Sequence, residues 1–279
     1  MKPHRHTATF TYGAQKIPFH FWMCEGRSKP DCVIFLGAGQ VGVIPRWVAK
    51  AAGPGVVVID GLPHWAVAPD VDAVTAFSTG YIAAAFAAVR KTFAVETLHV
   101  IAESQAVPAS IIVARTASEH IANVVLVRPL GFSVQAFGTS EAMRLRAFRR
   151  RILRTMVQLP QSFLHDRRNL GVLATMVRAM LREPNMQALT KKYGIGISYD
   201  ALEDCKAVAR LQAQKRRQCT ILLGAKDKMF PPEEVMRTLK GDDAITVHVV
   251  PRTTHASLAV RGGAAILRAA IYAARTKLS

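Results

Sequence analysis

Aromatic residues are scarce, at 7% of 279, so any core has to be built mainly from aliphatic side chains. Cysteine is scarce as well. Cys24, Cys32, Cys205 and Cys219 show no CxxC spacing, which argues against a disulfide framework and for reduced, buried thiols. No apolar run reaches the ~18 residues that a membrane span needs. The start, Met1-Lys2-Pro3-His4-Arg5-His6, lacks the apolar core of a signal peptide, and the expected location is cytoplasmic. There is no internal repeat and no low-complexity tract. The largest shortfall is acidic: 19 Asp/Glu against 37 Lys/Arg leave a net charge of +18. A balance of that size bears on partners and solubility, not on fold.

Half of the residues are apolar and a fifth are charged, which excludes a disordered chain. The length suits one large domain or two smaller ones. Before about residue 131, Thr7–Gly13 and Lys16–Cys24 alternate like half-buried strands. Cys32–Leu36, Val56–Ile59, Leu98–Ile101 and Val124–Val127 are short continuous apolar runs, as expected of parallel strands covered on both faces. Helix patterns lie between them at Pro45–Ala52, Ser78–Thr92 and Gln105–Glu119, which predicts a parallel α/β sheet. From 132 to 217 no strand pattern occurs. Helices are expected at about 140–158, 165–183, 185–193 and 199–216, punctuated by Pro160, Pro184 and Gly194-Ile-Gly196. The α/β rhythm resumes with strands at Thr220–Leu223 and Ile245–Val250 and helices at about 232–240 and 256–276. The expected organisation is an α/β core over 1–131 and 218–279, interrupted by a helical cap over 132–217.

Four segments carry chemistry. In Leu98-His-Val-Ile-Ala-Glu-Ser104-Gln-Ala106 a buried strand runs into a helix with Ser104 at the corner and Ala two residues to either side. Small-x-Ser-x-small is the pattern of a nucleophile elbow, where strand and helix approach closely and tolerate little bulk. The helix start frees the Gln105 N–H to bind a developing oxyanion, and Pro108 suits a first helical turn. On this motif alone, a buried Ser at an ordinary junction fits equally well. In the second segment, Gly37-Ala-Gly39-Gln-Val-Gly42 matches the dinucleotide-binding G-x-G-x-x-G, and Asp60 stands where the ribose-binding acid should. Two strand-like segments precede this loop, however, whereas a dinucleotide loop usually follows the first strand. The third segment, Ile221-Leu-Leu-Gly224-Ala-Lys-Asp227, places an acid after a strand. The fourth, Val249-Val-Pro-Arg-Thr-Thr-His255, places a histidine after the last strand. Either residue alone is ordinary, but Ser104, Asp227 and His255 each follow a strand in the chain order of one hydrolase architecture.

On these residues the whole chain resembles the α/β-hydrolase superfamily. Leu36-Gly37-Ala38-Gly39 stands at the family's oxyanion loop, and Asp60-Gly-Leu-Pro-His-Trp65 at its Asp…Gly-x-Gly stretch. The elbow, the cap, Gly224-x-x-Asp227 and His255 follow in family order. Leu36 replaces the common His, and both elbow glycines are Ala. The resemblance implies a mostly parallel eight-stranded sheet flanked by helices, with an inserted helical cap. It also implies Ser104 as nucleophile, His255 as base, Asp227 as its orienting acid, and the N–H groups of Ala38 and Gln105 as oxyanion hole. The acid could instead follow the sixth strand, but Val127-Arg128-Pro-Leu-Gly-Phe-Ser133 offers no carboxylate there. Ser104 excludes the variants of this fold that use an Asp nucleophile.

The expected activity is carboxylic-ester hydrolysis on a small-molecule acyl substrate in an apolar pocket between core and cap, with no metal or organic cofactor required. A thioesterase, acyltransferase or C–C hydrolase could use the same triad. A ligand-binding member without turnover is a further alternative, and a dinucleotide-binding protein a weaker one. Glu103 is read as an elbow residue facing a buried polar contact, with no catalytic role. His4-x-His6 offers two metal ligands at most, His99 and His248 fall within strands, and His64 and Trp65 fit a pocket mouth or a plain loop. Oligomeric state is not readable.

Of the +18, +11 falls in 132–217, with 17 Lys/Arg against 6 Asp/Glu. Glu141 to Met156 reads as a basic amphipathic helix whose Leu145, Phe148, Ile152 and Met156 share a face. A lid helix with solvated arginines, Arg149–Arg151 among them, is the first reading. An anionic substrate or a membrane surface is the second. Nucleic acid is disfavoured, because aromatic interleaving and any known module are missing.

Overall fold

The computed structural model describes residues 2–37, 43–61, 71–132, 138–140, 142–144, 146–147, 150–151, 154, 201–240, 242–255, 258 and 261–276. The helices expected at 165–183 and 185–193 lie outside these residues. Eight strands form one sheet: β1 (Pro3–Tyr12), β2 (Gln15–Cys24), β3 (Cys32–Phe35), β4 (Val56–Ile59), β5 (Leu98–Glu103), β6 (Ile121–Val127), β7 (Cys219–Gly224) and β8 (Ile245–Val250). Their order is β1-β2-β4-β3-β5-β6-β7-β8. β2 runs antiparallel to β1 and β4, and every other pairing is parallel. The helices are α1 (Val43–Ala52), α2 (Val71–Phe93), α3 (Val107–Thr116), α4 (Leu202–Gln214), α5 (Pro232–Thr238) and α6 (Arg261–Arg275).

The strands that read as unbroken apolar runs are those covered on both faces. In β3, Ile34 joins the layer under α1 and α6, while Val33 and Phe35 join the layer under α2, α3 and α4. This is the period-2 alternation of a strand with both faces dry. Seven aromatic residues gather at one end of the sheet. Phe10, Tyr12, Phe19, Phe21, Phe77, Tyr81 and Phe93 pack where the β1–β2 hairpin meets α2, with centroids 5.0–6.4 Å apart. α2 can approach because Gly80 has no side chain: a Cβ there would stand 3.1 Å from the Phe10 ring. All four cysteines are buried and free.

α4 lies inside the stretch that sequence rhythm assigns to the cap, yet Cys205, Val208 and Ala209 sit in the main core cluster. It covers the sheet beside α3 and leads into β7. Basic residues after it also serve the core. Lys215 donates to Ser118 Oγ at 2.9 Å, and Arg217 donates to the carbonyls of Ser118, at 2.8 Å, and Ile121. Asn123, at the start of β6, donates to Ala274 O at 2.8 Å and Thr276 O at 3.1 Å, and accepts from the Gln218 N–H at 2.9 Å. This side chain fastens the end of α6 to the beginnings of β6 and β7. No helix among the described residues is long and apolar enough to cross a membrane.

Candidate active site

β5 delivers the site's central residue. Ala102 and Ala106 are fully buried, and between them Ser104 takes φ +51°, in the left-handed region. A non-glycine residue held there carries ~1–3 kcal/mol of backbone strain, and such strain clusters at functional sites. Ser104–Ala106 form a tight helical turn that continues into α3, with Pro108 in the first turn of that helix. The elbow expected from the small-x-Ser-x-small pattern is therefore formed.

Ser104 Oγ lies 3.3 Å from His255 Nε2, and His255 Nδ1 lies 2.8 Å from Asp227 Oδ2. The structure brings together three residues separated by up to 151 positions, from the loops after β5, β7 and β8. All three loops leave the C-terminal ends of parallel strands, where ligand sites of such sheets assemble. Asp227 is buried, and its other oxygen accepts the N–H groups of Met229 (2.8 Å) and Phe230 (3.0 Å). Burial by itself would raise the Asp227 carboxyl. The charge and hydrogen bond of His255, the Phe230 N–H and the Arg128 cation outweigh it and hold the group below its usual range. The Phe230 ring meets the imidazole edge-on at 5.1 Å.

The acid and histidine loops are stitched together by backbone. Lys226 N–H donates to Thr253 O at 2.8 Å, and Ala225 N–H to Val250 O at 3.0 Å. Gly224 is required at this crossing, since a Cβ there would come within 2.9 Å of Thr253 O. Gln105 is the second residue of the turn at Ser104, where first-turn N–H groups have no intrahelical acceptor. Ala38, the other expected oxyanion donor, lies outside the described residues, as do His64 and Trp65.

Sequence reasoning missed two neighbours. Arg128, at the end of β6, is almost wholly buried and forms an ion pair with Glu103, so the polar contact expected of Glu103 is a charged one. The available signal was a charged residue at the end of an apolar strand on each side of the elbow. Arg151, expected among solvated arginines, is largely buried instead. It donates to Met229 O at 2.9 Å and to Glu234 Oε1 at 3.0 Å, because the acid loop presents a carbonyl and the first turn of α5 a carboxylate to it. Arg150 is exposed, as expected. Beside the acid loop lies an open cleft of about 370 Å³ lined by Arg154, Lys226, Lys228 and Glu233.

The remaining candidates are engaged elsewhere. Asp60 is buried, accepts the His20 N–H at 3.2 Å, and is pushed up to about 6, chiefly by burial. It is committed to the sheet rather than presented to a ribose, and the glycine loop follows the third strand of the sheet, not the first. His4 pairs with Glu25, and His6 stacks on Phe21 at 5.1 Å. Among the described residues no group of three or more His, Cys, Asp or Glu is placed to hold a metal ion.

Strand order, elbow and loop placement define the α/β-hydrolase fold. No family model matches the chain, and no curated protein matches it. Solved structures do. An esterase from Thermogutta terrifontis is 16% identical with a TM-score of 0.62, over 98% of this chain and 100% of that one. The 2-hydroxy-6-oxo-6-phenylhexa-2,4-dienoate hydrolase from Rhodococcus sp. strain RHA1 is 14% identical with a TM-score of 0.62, over 98% and 100%. The thioesterase domain of the curacin biosynthetic pathway is 15% identical with a TM-score of 0.60, over 96% and 99%. The chain has the α/β-hydrolase fold over its full length, and the neighbours' differing activities leave the chemistry to the site.

Proposed function

We propose that this chain is a serine hydrolase that cleaves a carboxylic ester through an acyl-enzyme on Ser104. The observation that carries the reading is the unbroken relay from a strained Ser104, through His255, to a buried Asp227. An ionised Asp227 accepts the Nδ1–H of His255, which leaves the Nε2 lone pair facing Ser104 Oγ. The hydroxyl proton passes to Nε2 as Oγ attacks the acyl carbon. The oxyanion is received by the N–H of Gln105 and, by family resemblance, that of Ala38. Loss of one such donor costs about 3–4 kcal/mol in other serine hydrolases. Nε2–H then protonates the leaving alcohol, and water reverses the sequence to release the acid. A thioester, or acyl transfer to an acceptor other than water, would use the same first step, and substrate profiling separates these.

The cations at the cleft beside Asp227 favour substrates that carry an anionic group, the acyl chain lying between core and cap. A fluorophosphonate probe tests the mechanism. It should label Ser104, and Ser104→Ala should abolish both labelling and hydrolysis of p-nitrophenyl esters. Hydrolysis that survives in the Ala variant would remove Ser104 as nucleophile. Labelling without turnover on any ester or thioester would favour a binding protein that keeps the triad.

A further inference from the structure

Arg128 contacts the chain segments that lead to Ser104, His255 and Asp227 without touching those three residues. Its backbone is in the left-handed region, φ +49°, and its guanidinium is 1% exposed. Nη2 pairs with the carboxylate of Glu103, the residue before the nucleophile. Nη1 donates to the carbonyl of Thr254, the residue before the base, at 2.9 Å. Its own N–H donates to Leu222 O on β7, the strand that leads to Asp227, at 2.8 Å. Two residues on, the Leu130 N–H donates to Ser104 O at 3.3 Å.

A buried ion pair is a poor way to gain stability, because desolvating both charges consumes most of their attraction, and apolar residues of similar volume often do as well or better. What the charged pair supplies here is geometry. A guanidinium has donors fixed in a planar fork, so one side chain can hold two acceptors at a set separation. Here the two acceptors belong to the elbow and to the histidine loop. We propose that Arg128, braced by Glu103, is a positioning residue that locks the Ser104 elbow and the His255 loop to one another and so sets the Oγ–Nε2 distance. The proposal rests on the serine-hydrolase reading above.

Three variants of the full chain test it. Arg128→Lys keeps the charge, but one ammonium cannot reproduce the fork to Glu103 and Thr254. Glu103→Met with Arg128→Met removes both charges and leaves neither unpaired. Glu103→Gln keeps an acceptor for Nη2. In the first two, kcat on a p-nitrophenyl ester should fall about 10- to 100-fold, with KM within about twofold, since misplacing reacting groups by an ångström slows chemistry without weakening binding. The fluorophosphonate labelling rate should fall in parallel. Glu103→Gln should recover most of the rate. Wild-type kcat in either of the first two variants below its melting temperature overturns the proposal and assigns the pair to stability. Failure of Arg128→Lys to fold, with the charge retained, has the same meaning. The wild-type chain separates the two questions. If its Ser104 does not label, the serine-hydrolase reading fails. If it labels and the variants match its rate, the positioning role alone fails.

Discussion

At the scale of single residues, the meeting of Ser104, His255 and Asp227 is legible in the sequence and its supports are not. Ser104, Asp227 and His255 were found because each follows an apolar run that cannot be mistaken for a helix, and because their order matches one architecture. Arg128 escaped because long-range pairing of charges leaves no periodicity. Only the sheet, by setting β6 between β5 and β7, brings Glu103 and Thr254 to it. Asp227→Asn should lower kcat by about 10⁴-fold with the fold intact, because an amide facing Nδ1 would favour the tautomer whose Nε2 can no longer accept a proton. Steady-state kinetics beside a circular dichroism melt check this, and near-normal turnover would reassign the acid. Asp60 makes a prediction about stability. Its carboxyl binds a proton up to about pH 6 when folded, against an ordinary value of 3.8. Between those values the folded chain holds more protons than the unfolded one, so stability falls as pH rises through the window. The shift corresponds to ~3 kcal/mol. Asp60→Asn should therefore raise the melting temperature at pH 7.5 and raise it less at pH 4.5. Equal gains at both pH values would rule out ionisation as the cause.

Elements were read more accurately at their centres than at their ends. β4 and β8 match their expected bounds, while β5 and β6 extend further, to Leu98–Glu103 and Ile121–Val127. The reason is that Glu103 is charged yet pairs with Val127 in a buried ladder, where neighbouring strands rather than side-chain type decide pairing, while Ala122-Asn123 fall at a register shift that interrupts the apolar run of β6. The fate of α4 has a similar cause. Its amphipathic face is apparent in the sequence, but whether that face meets the sheet or a cap is a tertiary matter. Arg151 bears on function at this scale, because it ties its own segment to the carbonyl of Met229, whose N–H supports Asp227, and to Glu234 at the start of α5. Arg151→Gln should loosen the loop that carries Asp227, lower the melting temperature by a few degrees and reduce kcat about threefold to tenfold. An unchanged melting temperature and kcat would make the contact incidental.

For the whole molecule, the charge surplus divides into structural and exposed parts. Arg128, Arg151 and Arg217 are used inside the fold, whereas Arg154, Lys226 and Lys228 stand at the cleft beside the acid loop. Exposed charges act over a Debye length of roughly 8 Å at physiological ionic strength. Added salt should therefore lower kcat/KM for an anionic ester more than for a neutral ester of equal size, and Lys226→Gln with Lys228→Gln should shrink that difference. If salt affects both esters alike while the paired variant loses binding to anionic vesicles, the charge serves a membrane surface instead. The Asn123 clamp has a practical consequence of another kind. It pins Ala274 and Thr276 at the beginnings of β6 and β7, whereas the loops of Ser104, Asp227 and His255 leave the opposite edge of the sheet, at the ends of β5, β7 and β8, about 20 Å away for six residues of extended chain. A tether attached after Thr276 would thus bind the molecule to a bead or electrode by its far side, with the reactive face turned towards the bulk solution.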